Sequence, residues 1–324
     1  MFATRSETLV FIGVEEQKLR YPPMPGAHIR LIGPSLNPAV YEPDTDYELD
    51  AKAGTIRRTA DSRIPDWRSH PHYGKTSFDH RESDSYSNAG YTCTIEYTPA
   101  AGDGEPSDTN PKYTGLPNLC QKLAAGEPIH YVVFGDSISA GYEASRPEFS
   151  YPECFASVMR ARYPDAPIAV LNKAVGGESS VGGLKRLQHD VIALRPDLVT
   201  IAYGMNDQNR QPDGSNAVPV EAFKRHLAEM AAGVQAQTDA DILLVTPCLP
   251  NPHWMFASSN AAAYAEAIRC VGVELSLPVA DVQQAWLEEL AAGKSHESLL
   301  LNNLNHPNDY GHGVYAAVLA RFLD

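Results

Sequence analysis

The stretch that decides the reading is YVVFGDSISAGYEAS, residues 131–145. Four apolar residues run into Gly135, Asp136 and Ser137, and the chain then turns small and polar. A short continuous apolar run of this kind is the mark of a strand buried on both faces, as in a parallel sheet. Such a strand delivers Ser137 to its carboxyl end, where open α/β sheets keep their ligand crevice. A serine there is either a nucleophile or the N-cap of the next helix. The pattern is not G-x-S-x-G, so the nucleophile elbow of the α/β-hydrolases is absent.

Working outward, residues from about 120 to 324 alternate in rhythm. Strands are predicted at 130–134, 167–171, 197–203, 241–246 and 277–280. Helices are predicted near 150–163, 181–194, 219–236, 260–274, 282–292 and 308–323. Apolar strands between helices imply a parallel sheet covered on both faces. Residues 1–98 have another rhythm. TLVFIGV, AHIRLIG, DYELD, GTIRRT and YTCTIEYT are short, rich in β-branched and aromatic residues, and separated by turn formers. They predict a β-rich sandwich, jelly-roll-like in character. Residues 99–119, dominated by Pro, Gly and charge, read as the linker.

Three further stretches reach the edge where Ser137 lies. LNKAVGGESS, 171–180, follows the second strand; Gly176 and Gly177 allow close backbone approach there, and a glycine N–H suits a developing oxyanion. AYGMNDQN, 202–209, follows the third; Asn206 offers a side-chain donor, while Asp207 reads as a loop anchor. NNLNHPNDYGHGVYA, 302–316, brings His306 in a loop before the last helix, and neutral histidine is the usual base for a serine hydroxyl. Each alone has an ordinary reading: a turn, a cap, a surface histidine.

Together, in this order, the four pieces resemble the SGNH/GDSL hydrolase family over roughly residues 120–324. G-D-S at Ser137, the glycine Gly177, G-x-N-D at Asn206 and H-P at His306 carry the resemblance. It implies a flavodoxin-like three-layer α/β/α fold and esterase-type acyl transfer, with no metal or organic cofactor. It also implies that His306 takes the proton of Ser137, and that the Ser137 and Gly177 N–H groups with Asn206 form the oxyanion hole.

One position departs from the family pattern. The family writes D-x-x-H, and the residue three before His306 is Asn303. Three explanations stay open: a neutral orienter, a dyad in which a backbone carbonyl or another carboxylate replaces the aspartate, or a weakened site. Asp309 and Asp281 are the nearest carboxylates worth naming, and both read as helix caps.

TPCLPNPHWMF, 246–256, follows the fourth strand, so His253 and Trp254 are candidates for an acyl or sugar subsite; the alternative for Trp254 is core cover. His70, His72 and His80 sit in the loop 65–86 without the spacing of a metal site, and a polar loop is expected. Three uses of the β-domain stay open: sugar binding, one wall of the active site, or a homo-oligomer contact.

Composition bounds the class. The 324 residues are 43% hydrophobic and carry a net charge of −14, which argues against nucleic acid or anionic membrane as partner. Five widely spaced cysteines read as reduced thiols, and the N-terminal stretch meets Glu15 and Glu16 after only a short apolar run, unlike a secretory signal. A cytoplasmic location is therefore expected, short of a leader trimmed from the chain. The expected function is a serine esterase removing short acyl groups, acetyl groups on saccharides above all. The rivals are an esterase or thioesterase on small non-carbohydrate esters, and a carbohydrate-binding protein that has lost turnover.

Overall fold

The computed structural model describes residues 4–82, 84–100 and 115–323. The chain divides into two compact units, one formed by Met1–Pro111 with Leu287–Leu304, the other by Lys112–Trp286 with Asn305–Asp324. Most of the segment read as the linker, 101–114, lies outside the described residues.

Among the described residues the first unit has seven strands: β1 (Arg5–Leu9), β2 (Gln17–Lys18), β3 (Arg30–Ile32), β4 (Val40–Tyr41), β5 (Tyr47–Asp50), β6 (Thr55–Arg58) and β7 (Cys93–Tyr97). They form two antiparallel sheets, ordered β1-β7-β3-β4 and β2-β6-β5. Alternation sets the inner face: in β7, Cys93, Ile95 and Tyr97 are buried while Thr94 and Glu96 are only partly covered. These side chains share one core with Leu9, Leu31 and Tyr41 of the first sheet and Tyr47 and Ile56 of the second, which makes the unit a sandwich.

The sequence assigns 287–304 to the hydrolase domain, whereas the structure groups Leu287–Leu304 with the sandwich. The reason is polar and non-local. Lys294 is buried in an ion pair with Glu7 and donates to the Thr8 carbonyl at 3.0 Å. Thr8 Oγ1 donates to the Ser298 carbonyl at 2.6 Å, and Tyr97 Oη donates to Glu7 at 2.5 Å. Removing one partner of a buried pair costs about 3–5 kcal/mol, so the segment is firmly held. Contacts between residues nearly 300 positions apart leave no trace in periodicity.

Among the described residues the second unit carries five parallel strands: β8 (Ile129–Gly135), β9 (Ile168–Asn172), β10 (Leu198–Ala202), β11 (Asp241–Val245) and β12 (Val279–Ala280). Their order is β12-β11-β10-β8-β9, so the winding reverses at β8. This is the flavodoxin-like order, and ligands bind where it reverses. The helices are α1 (Pro117–Ala125), α2 (Tyr151–Arg162), α3 (Ser180–Asp190), α4 (Val220–Gln237), α5 (Ala261–Leu275), α6 (Val282–Ala291), α7 (His296–Leu299) and α8 (Asp309–Ala320); α7 belongs to the first unit, and the division between units falls inside α6. In α4, Phe223, Leu227, Met230, Ala231 and Val234 recur at helical spacing and pack into the core with Val199 and Ile201 of β10. Helix α1 begins at Pro117, inside the stretch read as linker, with Pro at its start and Gly126 in a left-handed C-cap. Among the described residues no helix is long and apolar enough to cross a membrane.

Candidate active site

Strand β8 is buried from Tyr131 to Gly135 and sits between β9 and β10. Its last residue pairs with Ala202 of β10, and a β-carbon at position 135 would stand 2.6 Å from the Ala202 carbonyl oxygen. Only glycine lets the two backbones approach so closely. Beyond it the chain runs through successive turns, with Ala140 N–H on the Asp136 carbonyl at 2.9 Å and Tyr142 N–H on the Ser137 carbonyl at 3.0 Å. No α-helix begins until Tyr151. The capping alternative for Ser137 therefore has no helix to cap.

The Ser137 hydroxyl lies 2.8 Å from His306 Nε2. His306 stands before α8, whose N-cap is Asn308, with its side chain accepting from Gly311 N–H at 3.0 Å. Burial, and secondarily the neighbouring His312, pull the His306 pKa down to about 4. The imidazole is thus neutral near pH 7, the form in which it can act as a base.

Parallel pairing carries the second loop to the same edge. Past β9, Lys173 N–H donates to the Val133 carbonyl at 2.8 Å and Val175 N–H to the Gly135 carbonyl at 3.0 Å. Gly177 is two residues beyond Val175, as Ser137 is two beyond Gly135. Gly177 has φ of 75°, a left-handed backbone that glycine adopts without strain. The third loop follows β10: Asn206 Nδ2 donates to the Glu178 carbonyl at 3.0 Å. Asp207 is the loop anchor, accepting from Ser180 N–H at 3.0 Å, from Ser180 Oγ at 2.5 Å and from Gly204 N–H at 3.2 Å. Asp136, wholly buried, has its carboxyl pushed up to about 7 by burial, with Asp207 adding repulsion.

Asn303 falls in the sandwich unit, with φ of 58° and an Oδ1 that accepts from Asn88 Nδ2 at 3.3 Å. The two carboxylates read as caps have settled tasks. Asp281 accepts from Gln284 N–H at 3.2 Å at the start of α6 and pairs with Arg269. Asp309 accepts from Ser145 N–H at 2.8 Å and Ser145 Oγ at 2.6 Å, leaving the cap of α8 to Asn308.

On the β11–α5 loop, Trp254 is buried and packs near Phe256, while His253 N–H bonds Asn251 Oδ1 at 3.0 Å. His70 and His72 are also inside rather than in a polar loop: His70 stacks on Trp67 and His72 on Phe78.

Sequence reading missed three contributors: Tyr142, whose ring stands beside His306; His312, whose Nδ1 accepts from Tyr151 N–H; and the Glu178–Arg186–Tyr203 group beside the loop that carries Gly177. Tyr142 was visible in the opening stretch as an aromatic residue five positions past the serine.

The model of the GDSL-like lipase/acylhydrolase family matches residues 133–314. An acetylxylan esterase of Geobacillus stearothermophilus is 26% identical over 214 residues, covering 62% of this chain and 95% of the relative. An arylesterase of Vibrio mimicus is 27% identical over 132 residues, 41% of this chain and 61% of the relative. Among solved structures, a two-domain esterase active on acetylated mannans superposes with a TM-score of 0.53 at 24% identity, covering 64% of this chain and 52% of that one. This chain thus spans about half the length of that esterase, and the likeness speaks for the fold. With the family's model matched over more than half of its length, the chain belongs to the GDSL-like lipase/acylhydrolase family and is a carboxylic ester hydrolase.

Proposed function

We propose that this protein is a serine esterase that removes acetyl groups from saccharides, working through Ser137 and His306 as nucleophile and base. The observation that carries the reading is the 2.8 Å approach of His306 Nε2 to Ser137 Oγ at the carboxyl edge of the parallel sheet. In the first step His306 takes the hydroxyl proton as Ser137 Oγ attacks the ester carbonyl. The N–H groups of Ser137 and Gly177, with Asn206 Nδ2, receive the negative charge that develops on oxygen; each such donor is worth about 3 kcal/mol in the transition state. His306 then returns the proton to the departing sugar hydroxyl, leaving an acetyl-serine. A water activated by the same imidazole releases acetate, so the proton count closes without a cofactor.

The saccharide is supported by the similarity to an acetylxylan esterase along nearly the whole of that relative. We read Asn303 as a structural residue of the sandwich, whose Oδ1 accepts from Asn88 Nδ2 at 3.3 Å. A second reading, esters of small non-carbohydrate alcohols, draws on the similarity to an arylesterase. Turnover of acetylated xylo-oligosaccharide, p-nitrophenyl acetate and p-nitrophenyl octanoate, wild type beside Ser137→Ala, separates the readings. Serine-dependent release of acetate from the saccharide is the expected result. Turnover that survives in Ser137→Ala removes the mechanism, and activity restricted to the p-nitrophenyl esters favours the second reading.

A further inference from the structure

Tyr142 is 51% exposed, yet its backbone is pinned on both sides. Its N–H donates to the Ser137 carbonyl at 3.0 Å, and its carbonyl accepts from His312 Nε2 at 3.1 Å. His312 is itself fixed, accepting from Tyr151 N–H at Nδ1 over 3.3 Å. A carbonyl only accepts and an N–H only donates, so the two contacts hold His312 as the neutral Nε2–H tautomer. Glu143, the next residue, has φ of 66°, a left-handed conformation that a β-carbon disfavours. Strain of that kind persists where the surroundings enforce it, and it gathers at functional sites.

The side chain reaches from His306 to Gly176. Its ring stands edge-on to the His306 ring, with centroids 5.6 Å apart and planes at 82°. Its other end reaches the oxyanion loop: a β-carbon on Gly176 would lie 2.6 Å from the Tyr142 hydroxyl oxygen. Gly176 is therefore the residue that makes room for this tyrosine. A rigid tyrosine offers a large amphipathic surface at low entropic cost, as recognition surfaces require.

Chemistry decides which half of the ester meets it. His306 must hand its proton to the leaving oxygen, so the alcohol half of the substrate lies against the imidazole and the acyl half lies away from it. A ring that flanks His306 flanks the alcohol. We propose that Tyr142 is a specificity-determining residue whose ring packs on the pyranose of the departing saccharide; this rests on the esterase reading above. The apolar C–H face of a pyranose meets the electron-rich face of the phenol ring.

The test compares wild type, Tyr142→Ala and Tyr142→Phe on an acetylated xylo-oligosaccharide, on ethyl acetate, whose alcohol has no ring to pack, and on ethyl butyrate. Tyr142→Ala should lower kcat/KM on the saccharide roughly tenfold more than on ethyl acetate, chiefly through KM, as expected for loss of an aromatic contact. The ratio of acetate to butyrate turnover should hold, and Tyr142→Phe should keep most of the saccharide preference. Equal losses on saccharide and ethyl acetate would reduce the ring to a support for His306 and overturn the proposal. A shifted acetate-to-butyrate ratio would place it on the acyl side, with the same consequence. A wild type inert on every ester is a different failure, one that removes the esterase reading itself and this proposal with it.

Discussion

Asn206 Nδ2 donates to the Glu178 carbonyl at 3.0 Å, which ties the side-chain donor of one edge loop to the backbone of the next. Glu178 follows Gly177 directly, so whatever holds Glu178 holds two of the three proposed oxyanion donors. Its carboxylate is gripped by Arg186, at 2.8 Å through Nε and 2.6 Å through Nη2, and by the Tyr203 hydroxyl at 2.8 Å. Arg186 is fixed in turn by Asp190 at 2.9 Å, by the Lys173 carbonyl at 2.5 Å, and by the Phe134 ring 4.4 Å beneath its guanidinium. A forked, planar cation suits this task in a way a lysine ammonium does not.

On the proposed mechanism Arg186 is a positioning residue. Arg186→Met preserves much of the side-chain volume but leaves the Glu178 carboxylate without its cation, and the loop relaxes. Displacements of about 1 Å in such machinery cost roughly 10²-fold. The expected result is a fall in kcat of that order with KM little changed, and partial recovery in Arg186→Lys. A lowered Tm with kcat intact at permissive temperature would make the group a stabiliser alone.

The pH profile follows from His306. Its pKa is drawn down to about 4, first by burial and then by His312. The proposed base must be neutral to work, so activity is lost only as pH falls through that value. The expected acid limb of kcat/KM is centred near pH 4, with no drop where an ordinary histidine would protonate near 6.5. Measuring kcat/KM between pH 3.5 and 8 checks this, over the range where circular dichroism shows the chain folded. A limb at 6.5 would mean the imidazole is far better solvated than its burial implies.

Gly135 offers a sharper stability test than the loop glycines. A β-carbon there would strike the Ala202 carbonyl, 2.6 Å away on the central strand, and the Ser139 side chain. Backbone in the middle of a sheet cannot step aside, so Gly135→Ala should destabilise by about 3 kcal/mol or more, at or beyond the usual overpacking range. Gly177→Ala meets no neighbour within 4 Å and carries only its left-handed backbone, with φ of 75°. That costs about 1–2 kcal/mol. Urea unfolding of the two variants should rank them in that order.

What the sequence made legible was what local pattern encodes. The apolar strands of the second unit and the chain order of the Ser137, Gly177, Asn206 and His306 blocks are properties of contiguous residues, and the parallel sheet, five-stranded in the structure, follows from them. The short strands β2 and β4, two residues each, have no period to detect. The transfer of Leu287–Leu304 to the sandwich rests on Lys294, Glu7 and Thr8, and the clamp on Arg186 and Tyr203, pairs made by the fold and not by spacing. Trp254 shows the converse. An aromatic residue in an edge loop invites a subsite reading, but its burial gives a substrate little surface to touch.

Asn303 gives the last prediction, because its position in the D-x-x-H pattern and its surroundings point to different roles. It is 1% exposed, with φ of 58°, and its Oδ1 accepts from Asn88 Nδ2 at 3.3 Å. Asn88 Nδ2 also donates to the Leu300 carbonyl at 2.9 Å and the Glu297 carbonyl at 3.2 Å. Its Oδ1 accepts from Trp67 Nε1 at 2.9 Å. Asn303 thus belongs to a buried amide cluster that fastens residues 297–303 within the sandwich. Asparagine tolerates the left-handed backbone better than most side chains, so the residue type fits the turn. Asn303→Ala and Asn303→Gly both remove the amide, but only alanine pays for the conformation. The glycine variant should be the more stable by about 1–2 kcal/mol. Under conditions where both are folded, kcat should stay within about threefold of wild type, since a structural latch does not alter the transition state. A loss approaching the roughly 10⁴-fold that follows a mis-set histidine tautomer would instead make Asn303 the neutral third member of the site.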